Sequence, residues 1–245
     1  MVSKNGIVIT IIWAVLTAAG ETLVLVLHPF PVGVSAESTI VDGAFEFLTI
    51  LAIPVVMFVI TMLIYSAIKF RHKGPPDEDG PPIRTNGTIV GAWLIITTAL
   101  TVFMIIQPGI LGLNELHARS HDPVDLVIQA ESSQYLWKLT YPEQNVTTFT
   151  EIVLPVGKHV RFDVTSTDVI HAFWIPAFRG KIDAVPGLTT AVHVTPNETG
   201  SFEEDSGLRL QCAELCGVGH GIMRVPVRVV EQAGFDAWVT ANSGK

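Results

Sequence analysis

Twelve residues, CAELCGVGHGIM at 212–223, hold both cysteines of the 245-residue chain together with a histidine and a methionine. Their spacing is Cys212-x3-Cys216-x3-His220-x2-Met223, and an isolated His171 lies upstream in DVIHAFW. Thiolate, imidazole and thioether form a soft ligand set that selects copper, and the methionine argues against zinc. Gly217, Gly219 and Gly221 let such a loop fold tightly around an ion.

Three chemistries fit these residues. Two cysteines in an oxidising compartment can form a disulfide. Two Cys and two His can complete a tetrahedral zinc site, which leaves Met223 idle. Copper fits in two ways. A single blue-type ion takes one thiolate, two imidazoles and a weak axial methionine, whereas two ions can share both thiolates. The blue site has no place for a second thiolate, so the residues favour the binuclear arrangement while leaving the others open.

The elements that position this set follow from composition. The chain is 49% apolar and 16% charged, with a mean hydropathy of +0.46, which indicates a membrane protein or a domain on a membrane anchor. Apolar residues gather at 7–27, 45–70 and 89–112. Each run has the roughly 20 residues needed to span a hydrocarbon core. The first could be a signal peptide, with Lys4 at its start and Val34-Ser35-Ala36 before Glu37 as a cleavage site. Its apolar run exceeds the usual signal core of about 7–15 residues, so a retained helix is expected.

Lys69, Arg71, Lys73 and Arg84 lie in the connector 69–88, and 28–44 has no Lys or Arg. The positive-inside rule puts the connector in the cytoplasm and everything after the third segment outside, periplasmic in a bacterium. The expected organisation is an extra N-terminal transmembrane helix (or uncleaved signal) with an external loop at 1–44, a helix hairpin at 45–113 and a periplasmic domain at 114–245.

That domain reads as β. Short runs rich in Val, Ile, Thr, Phe and Trp recur at 124–130, 135–141, 147–154, 159–165, 169–175, 189–195, 208–211 and 222–230. Pro and Gly separate them, which predicts a sandwich or barrel. A short amphipathic helix is expected at 232–239.

The chain resembles subunit II of the haem–copper cytochrome c oxidases over residues 45–240. The family loop C-x-E-x-C-G-x-x-H-x-x-M is matched by Cys212, Glu214, Cys216, Gly217, His220 and Met223. The family stretches D-V-x-H-x-F-x-x-P and K-x-D-x-x-P-G are matched by Asp168, Val169, His171, Phe173, Pro176, Lys181, Asp183, Pro186 and Gly187. The resemblance implies a two-helix hairpin, a cupredoxin-like domain and a binuclear copper centre, CuA. Cys212 and Cys216 would bridge both ions. His171 and Met223 would complete one copper, and His220 with the Glu214 carbonyl the other. The Glu214 carboxylate would bind a magnesium ion shared with subunit I. The implied role is electron entry in the bacterial inner membrane, beside subunits I and III, with oxygen reduced in subunit I. No nucleic-acid partner is expected.

Two departures from the family stand out. The usual Gln-Trp-x-Trp is Gln134-Tyr135-Leu136-Trp137 here, so the donor could be a small blue copper protein in place of a cytochrome c. Many members carry a glutamate three residues before a helix tryptophan, at the mouth of a proton path; here Val90 precedes Trp93. Tyr135 and Trp137, two apart in an expected strand, should face the same side, forming an electron-entry face with Asp168 beside it. Residues 114–245 carry 16 acids and 10 bases, and Asp163, Asp168, Glu203, Glu204 and Asp205 could steer a basic donor.

Other residues carry plainer expectations. His117, His121, His159 and His193 lack Cys or Met at useful spacing and are expected not to bind copper. The sequons at Asn86, Asn145 and Asn197 are read as accidental. Glu21, inside the first apolar segment, should face protein because a carboxyl there costs a few kcal/mol. Competing functions are a structural quinol oxidase subunit, which lacks the copper ligands, a subunit of a nitric oxide or nitrous oxide reductase, and a membrane-anchored copper carrier.

Overall fold

The computed structural model describes residues 3–71, 74 and 85–244. Lys73 and Arg84 of the expected cytoplasmic connector lie outside the described residues. The chain forms two compact units, Met1–Phe30 with Gly43–Gly112, and Pro31–Asp42 with Leu113–Lys245.

The first unit is helical: α1 (Lys4–Leu27), α2 (Ala36–Lys69, whose first residues belong to the second unit) and α3 (Gly87–Met104). Ser3 caps α1 by accepting the Gly6 N–H, and Asn86 caps α3 by accepting from Thr88 and Ile89, which satisfies otherwise orphaned donors. Neither α1 nor α3 buries a residue, and most of their large apolar side chains are exposed. Such helices need an apolar solvent. Spans of 24, 34 and 33 residues are long and apolar enough to cross a membrane. Trp13 donates its indole N–H to the Pro54 carbonyl at 2.8 Å, and the Tyr65 hydroxyl donates to Asn5 Oδ1 at 3.0 Å. Glu21 is half-buried on α1.

The third helix runs further than hydropathy suggests. Beyond α3 it passes through a π-helical stretch, Ile105–Ile110, and resumes as α4 (Leu111–Arg119). Pro108 has no N–H to donate, and Gln107 leaves helical geometry at φ −126°, ψ 114°, so the axis breaks there. Helix thus continues to Arg119, beyond the expected hairpin boundary at 113. The last turns are polar and carry an Arg119–Glu115 ion pair at 3.3 Å.

The second unit is a sandwich of two sheets. Its strands are β1 (Leu126–Ser133), β2 (Leu136–Tyr141), β3 (Val146–Thr148), β4 (Ile152–Pro155), β5 (Val160–Ser166), β6 (His171–Trp174), β7 (Lys181–Ala184), β8 (Thr190–Val194), β9 (Gly200–Ser201), β10 (Arg209–Cys212) and β11 (Arg224–Val230). One sheet has the order β3-β2-β1-β5-β8 and the other β4-β11-β10-β6-β7, with β9 on β11. The class is the expected one, three apolar helices followed by a β-sandwich. β7 and β9 were not expected: their residues lack a run of alternating apolar side chains, and they are strands because β6 and β11 offer them edges.

Alternation builds the core. Val160, Phe162 and Val164 point inward from β5, while the residues between them are half-exposed. They meet Trp137, Leu139, Phe173 and Leu210 in one buried cluster. The terminal helix α5 (Gln232–Asn242) adds Phe235 and Trp238 to that cluster.

The two ends of the sandwich differ. At one end α4 leads into β1, and Pro31–Asp42 packs on the loops after β6 and β8. Ala36 donates to the Thr195 carbonyl at 2.9 Å, Asn197 donates to the Val34 carbonyl at 3.1 Å, and Glu37 accepts from the Thr195 N–H at 2.8 Å. Arg179 pairs with Asp42 at 2.7 Å. Ser35, in the stretch weighed as a cleavage site, caps α2: Ser35 Oγ accepts from the Ser38 N–H and Ser38 Oγ from the Ser35 N–H, both at 3.0 Å. At the other end lie the β1–β2 turn, the loop before β6 and the loop between β10 and β11.

Candidate metal centre

Strand pairing sets the first half of the site. His171 opens β6 and Cys212 closes β10, and these strands are antiparallel with Cys212 opposite Phe173. The two ligating atoms therefore meet at one end, His171 Nδ1 lying 3.7 Å from Cys212 Sγ. The loop that follows is closed at its base, where Cys212 donates to the Met223 carbonyl at 3.0 Å. Inside it, His220–Ile222 forms a single 3-10 turn.

That turn brings the remaining donors inward. Cys216 Sγ is 3.8 Å from Cys212 Sγ, 3.7 Å from His220 Nδ1 and 3.9 Å from Met223 Sδ. The Glu214 carbonyl oxygen is 3.1 Å from Cys212 Sγ, while its side chain is exposed. Both cysteines are free and buried, so the disulfide alternative is not adopted. Among the described residues, one group of three His, Cys or carboxylate ligand atoms gathers within 4.8 Å, that of His171, Cys212 and Cys216. All six ligand positions expected from the sequence are thus brought together. His159 and His193 stack on each other in the sandwich and hydrogen-bond at 3.1 Å, apart from this group.

The donor set fits copper. Two sulfurs 3.8 Å apart can be bridged by an ion with metal–sulfur bonds of about 2.3 Å. Two thiolates, two imidazoles, a thioether and a carbonyl exceed the four positions of tetrahedral zinc. Burial, and then the neighbouring Cys212 thiol, push the Cys216 thiol up to about 11. A bound cation reverses that preference by taking the thiolates directly.

Asp168 supports the site from behind. Its Oδ1 lies 2.9 Å from His171 Nε2, which leaves Nδ1 turned to the sulfurs, the arrangement by which a carboxylate fixes a metal-binding imidazole. Burial alone would raise the Asp168 carboxyl. Hydrogen bonds from His171 and from the Gln134 and Val169 N–H groups outweigh it and hold the group at about 2.

The aromatic pair departs from expectation. Tyr135 lies in the turn between β1 and β2, not in a strand, so it does not share a face with Trp137 by alternation. Trp137 is fully buried, with its ring edge-on to His171 at 6.3 Å and to Phe173 at 5.8 Å; it presents no surface to a donor. Tyr135 instead lies on the metal loop. A Cβ at Gly219 would sit 2.4 Å from its ring, and one at Gly217 2.6 Å from its hydroxyl. The glycines thus admit the tyrosine, and Gly217 also holds a φ of +129°.

Sequence reasoning passed over Gln134. Its Nε2 donates to the Cys216 carbonyl at 2.6 Å and its backbone N–H to Asp168 Oδ2 at 2.7 Å, linking the turn to both halves of the site. Its place at the head of the family's Gln-Trp motif was the available signal.

Known proteins resemble this chain over much of its length. Residues 145–230 match the family model described as cytochrome c oxidase subunit II, periplasmic domain. The chain is 31% identical over 197 residues to cytochrome c oxidase subunit 2 of Alkalihalophilus pseudofirmus, covering 79% of this chain and 55% of that protein. It is 30% identical over 221 residues to a Rickettsia bellii protein named "Probable cytochrome c oxidase subunit 2", covering 81% of this chain and 77% of that one. The chain therefore spans little more than half the length of the first relative. Among solved structures, the periplasmic domain of subunit II of cytochrome oxidase from Bradyrhizobium japonicum is 35% identical with a TM-score of 0.44, covering 49% of this chain and 94% of that one.

Proposed function

The chain belongs to the cytochrome c oxidase subunit II family, and we propose that it is the electron-entry subunit of a respiratory terminal oxidase, built around a binuclear copper centre. The observation that carries this reading is the convergence of six donor groups on one strand end and one loop, with both sulfurs 3.8 Å apart. A copper pair held by both thiolates would supply one-electron chemistry with the charge spread over both ions.

The chain's own residues hold that site rigid. Cys212 and Cys216 would hold both ions, His171 and Met223 would complete one, and His220 with the Glu214 carbonyl the other. Strand pairing fixes His171 and Cys212, Asp168 fixes the imidazole tautomer, and Gln134 ties down Cys216. Because each ligand is braced, the site would rearrange little on electron transfer. The Glu214 carboxylate, exposed while its carbonyl faces Cys212, is free to bind magnesium at a boundary with subunit I. In this reading the helices cross the bacterial inner membrane beside subunits I and III, and the β domain is periplasmic. Electrons come from a cytochrome c or a small blue copper protein and leave for the haems of subunit I, where oxygen is reduced.

Purifying the native complex through a tag on this chain tests the reading. A haem-bearing partner and oxygen uptake driven by a reduced cytochrome c or blue copper protein are expected. Nitric oxide uptake in place of oxygen would make the chain a reductase subunit, and copper without any haem partner would make it a carrier.

A further inference from the structure

A second polar cluster is buried away from the metal centre. Alternation puts His159, Arg161 and Asp163 on the side of β5 turned away from Phe162, and His193 lies opposite Arg161 on β8. Residues 31–42 pack over this side of the sheet and bring Glu37 to it. His159 is only 6% exposed and Glu37 8%, so two ionisable groups are held out of water here. Burial of that kind is costly unless the groups are bonded.

The bonds run through the cluster in one direction. A Glu37 carboxylate only accepts, and it takes the Thr195 N–H at 2.8 Å and the Thr195 hydroxyl at 3.2 Å. Thr195 Oγ1 then accepts from His159 Nδ1 at 3.0 Å, which puts that ring's proton on Nδ1 and makes its Nε2 an acceptor. His193 Nδ1 lies 3.1 Å from this Nε2 and donates to it. The nitrogen left to take a further proton is His193 Nε2, on a side chain that lines a cavity of about 250 Å³. A second proton would set two N–H groups against each other across 3.1 Å, so the docked pair takes one.

The surroundings resist that proton. Arg161 faces His193 from β5, paired with Asp163 at 2.9 Å. The same cavity is lined by Arg119 from α4, which pairs with Glu115, and by Arg179 and Lys181 after β6, Arg179 being paired with Asp42. Behind His159, Asp125 accepts the His159 N–H at 2.9 Å and pairs with Lys158. Burial above all, then His159 and Arg161, hold His193 below its ordinary value, against the opposing pull of Asp163 and Glu37.

Few bonds hold the strap down over this pair. Val34 donates to the Ala177 carbonyl at 3.0 Å and Ala36 to the Thr195 carbonyl at 2.9 Å, Asn197 donates to Val34 at 3.1 Å, and Asp42 pairs with Arg179. We propose that the His159–His193 pair is an acid-sensitive latch, in which one proton taken from solution loosens residues 31–42 from the sheet. The sign follows from linkage. His193 is harder to protonate under the strap than when freed, so docking is at full strength above the ordinary value of 6.5 and weakens as pH falls below it. α2 continues from the strap into its apolar span, so acid outside the membrane would slacken the hold of the β unit on the first turns of its own anchor helix.

Amide hydrogen exchange in the intact purified complex tests the latch, with rates corrected for the intrinsic effect of pH. Peptides covering 31–42 should lose about fivefold in protection between about pH 7.5 and about pH 5.5, with a midpoint below 6.5 and the slope of one proton. Peptides covering 224–230, in the core of the other sheet, should not change. The double variant His159→Asn/His193→Gln keeps amide donors in place of both rings and cannot titrate, so its protection of 31–42 should be flat over the same range. A flat curve in the parent would overturn the proposal. So would a step that persists in the double variant, one shared equally by 224–230, or one centred near pH 4, which would belong to carboxylates. Should the double variant fail to assemble, the parent's curve still decides, because only a step confined to 31–42 and centred in the histidine range supports the latch.

Discussion

At the scale of single residues, the site is defined by what each ligand lacks without its neighbour. Met223 is buried and 3.9 Å from Cys216 Sγ, but a thioether is the weakest ligand of the set. Met223→Leu should therefore retain copper while shifting its potential and slowing electron transfer; an unaltered spectrum and potential would make it a core residue. Asp168 acts through His171. Its folded carboxyl sits at about 2 against an ordinary 3.8, so its contribution is present above the unfolded value and is lost as pH falls toward 2. In the metal-free protein, Asp168→Asn should cost about 1–2 kcal/mol near neutral pH in denaturant titrations. The gap to the parent should narrow as pH drops below 4, and a pH-independent gap would show that the charge is not what matters.

Elements decide which of these residues meet, and here the sequence was readable to different depths. The ligand loop was legible because six fixed positions of one motif leave little freedom, and β5 was legible because Val160, Phe162 and Val164 alternate. Tyr135 was not, since a strand and a turn look alike over a single residue, and only packing against Gly217 and Gly219 places its ring. The helix end at Arg119 escaped because hydropathy falls at 112 while backbone hydrogen bonding continues. β7 escaped because its pairing with β6, not its own pattern, makes it a strand. Two variants probe this level. Gly219→Ala should push the Tyr135 ring off the metal loop and weaken copper retention against a chelator; full retention would mean that the ring is not part of the loop's support. Ser35→Ala should remove the reciprocal cap of α2 and cost about 1 kcal/mol in thermal unfolding of the purified protein.

At the scale of the whole molecule, hydropathy and chemistry divide the chain. Long apolar helices supply the anchor, and a sandwich whose core is closed by Trp137, Phe162 and Phe173 supplies a stiff frame for soft ligands. Residues 31–42, expected as a loop belonging to the first helix, are instead built into the β unit through Thr195 and Arg179. All of this serves one claim, that the loop and His171 together hold a pair of coppers. Metal analysis of the purified complex, combined with paramagnetic resonance of its oxidised form, tests that claim most directly. Two copper ions per chain with a seven-line mixed-valence spectrum, both lost in Cys216→Ser, is the expected result; one copper per chain in the fully loaded complex, or a closed Cys212–Cys216 disulfide in its active form, would contradict it.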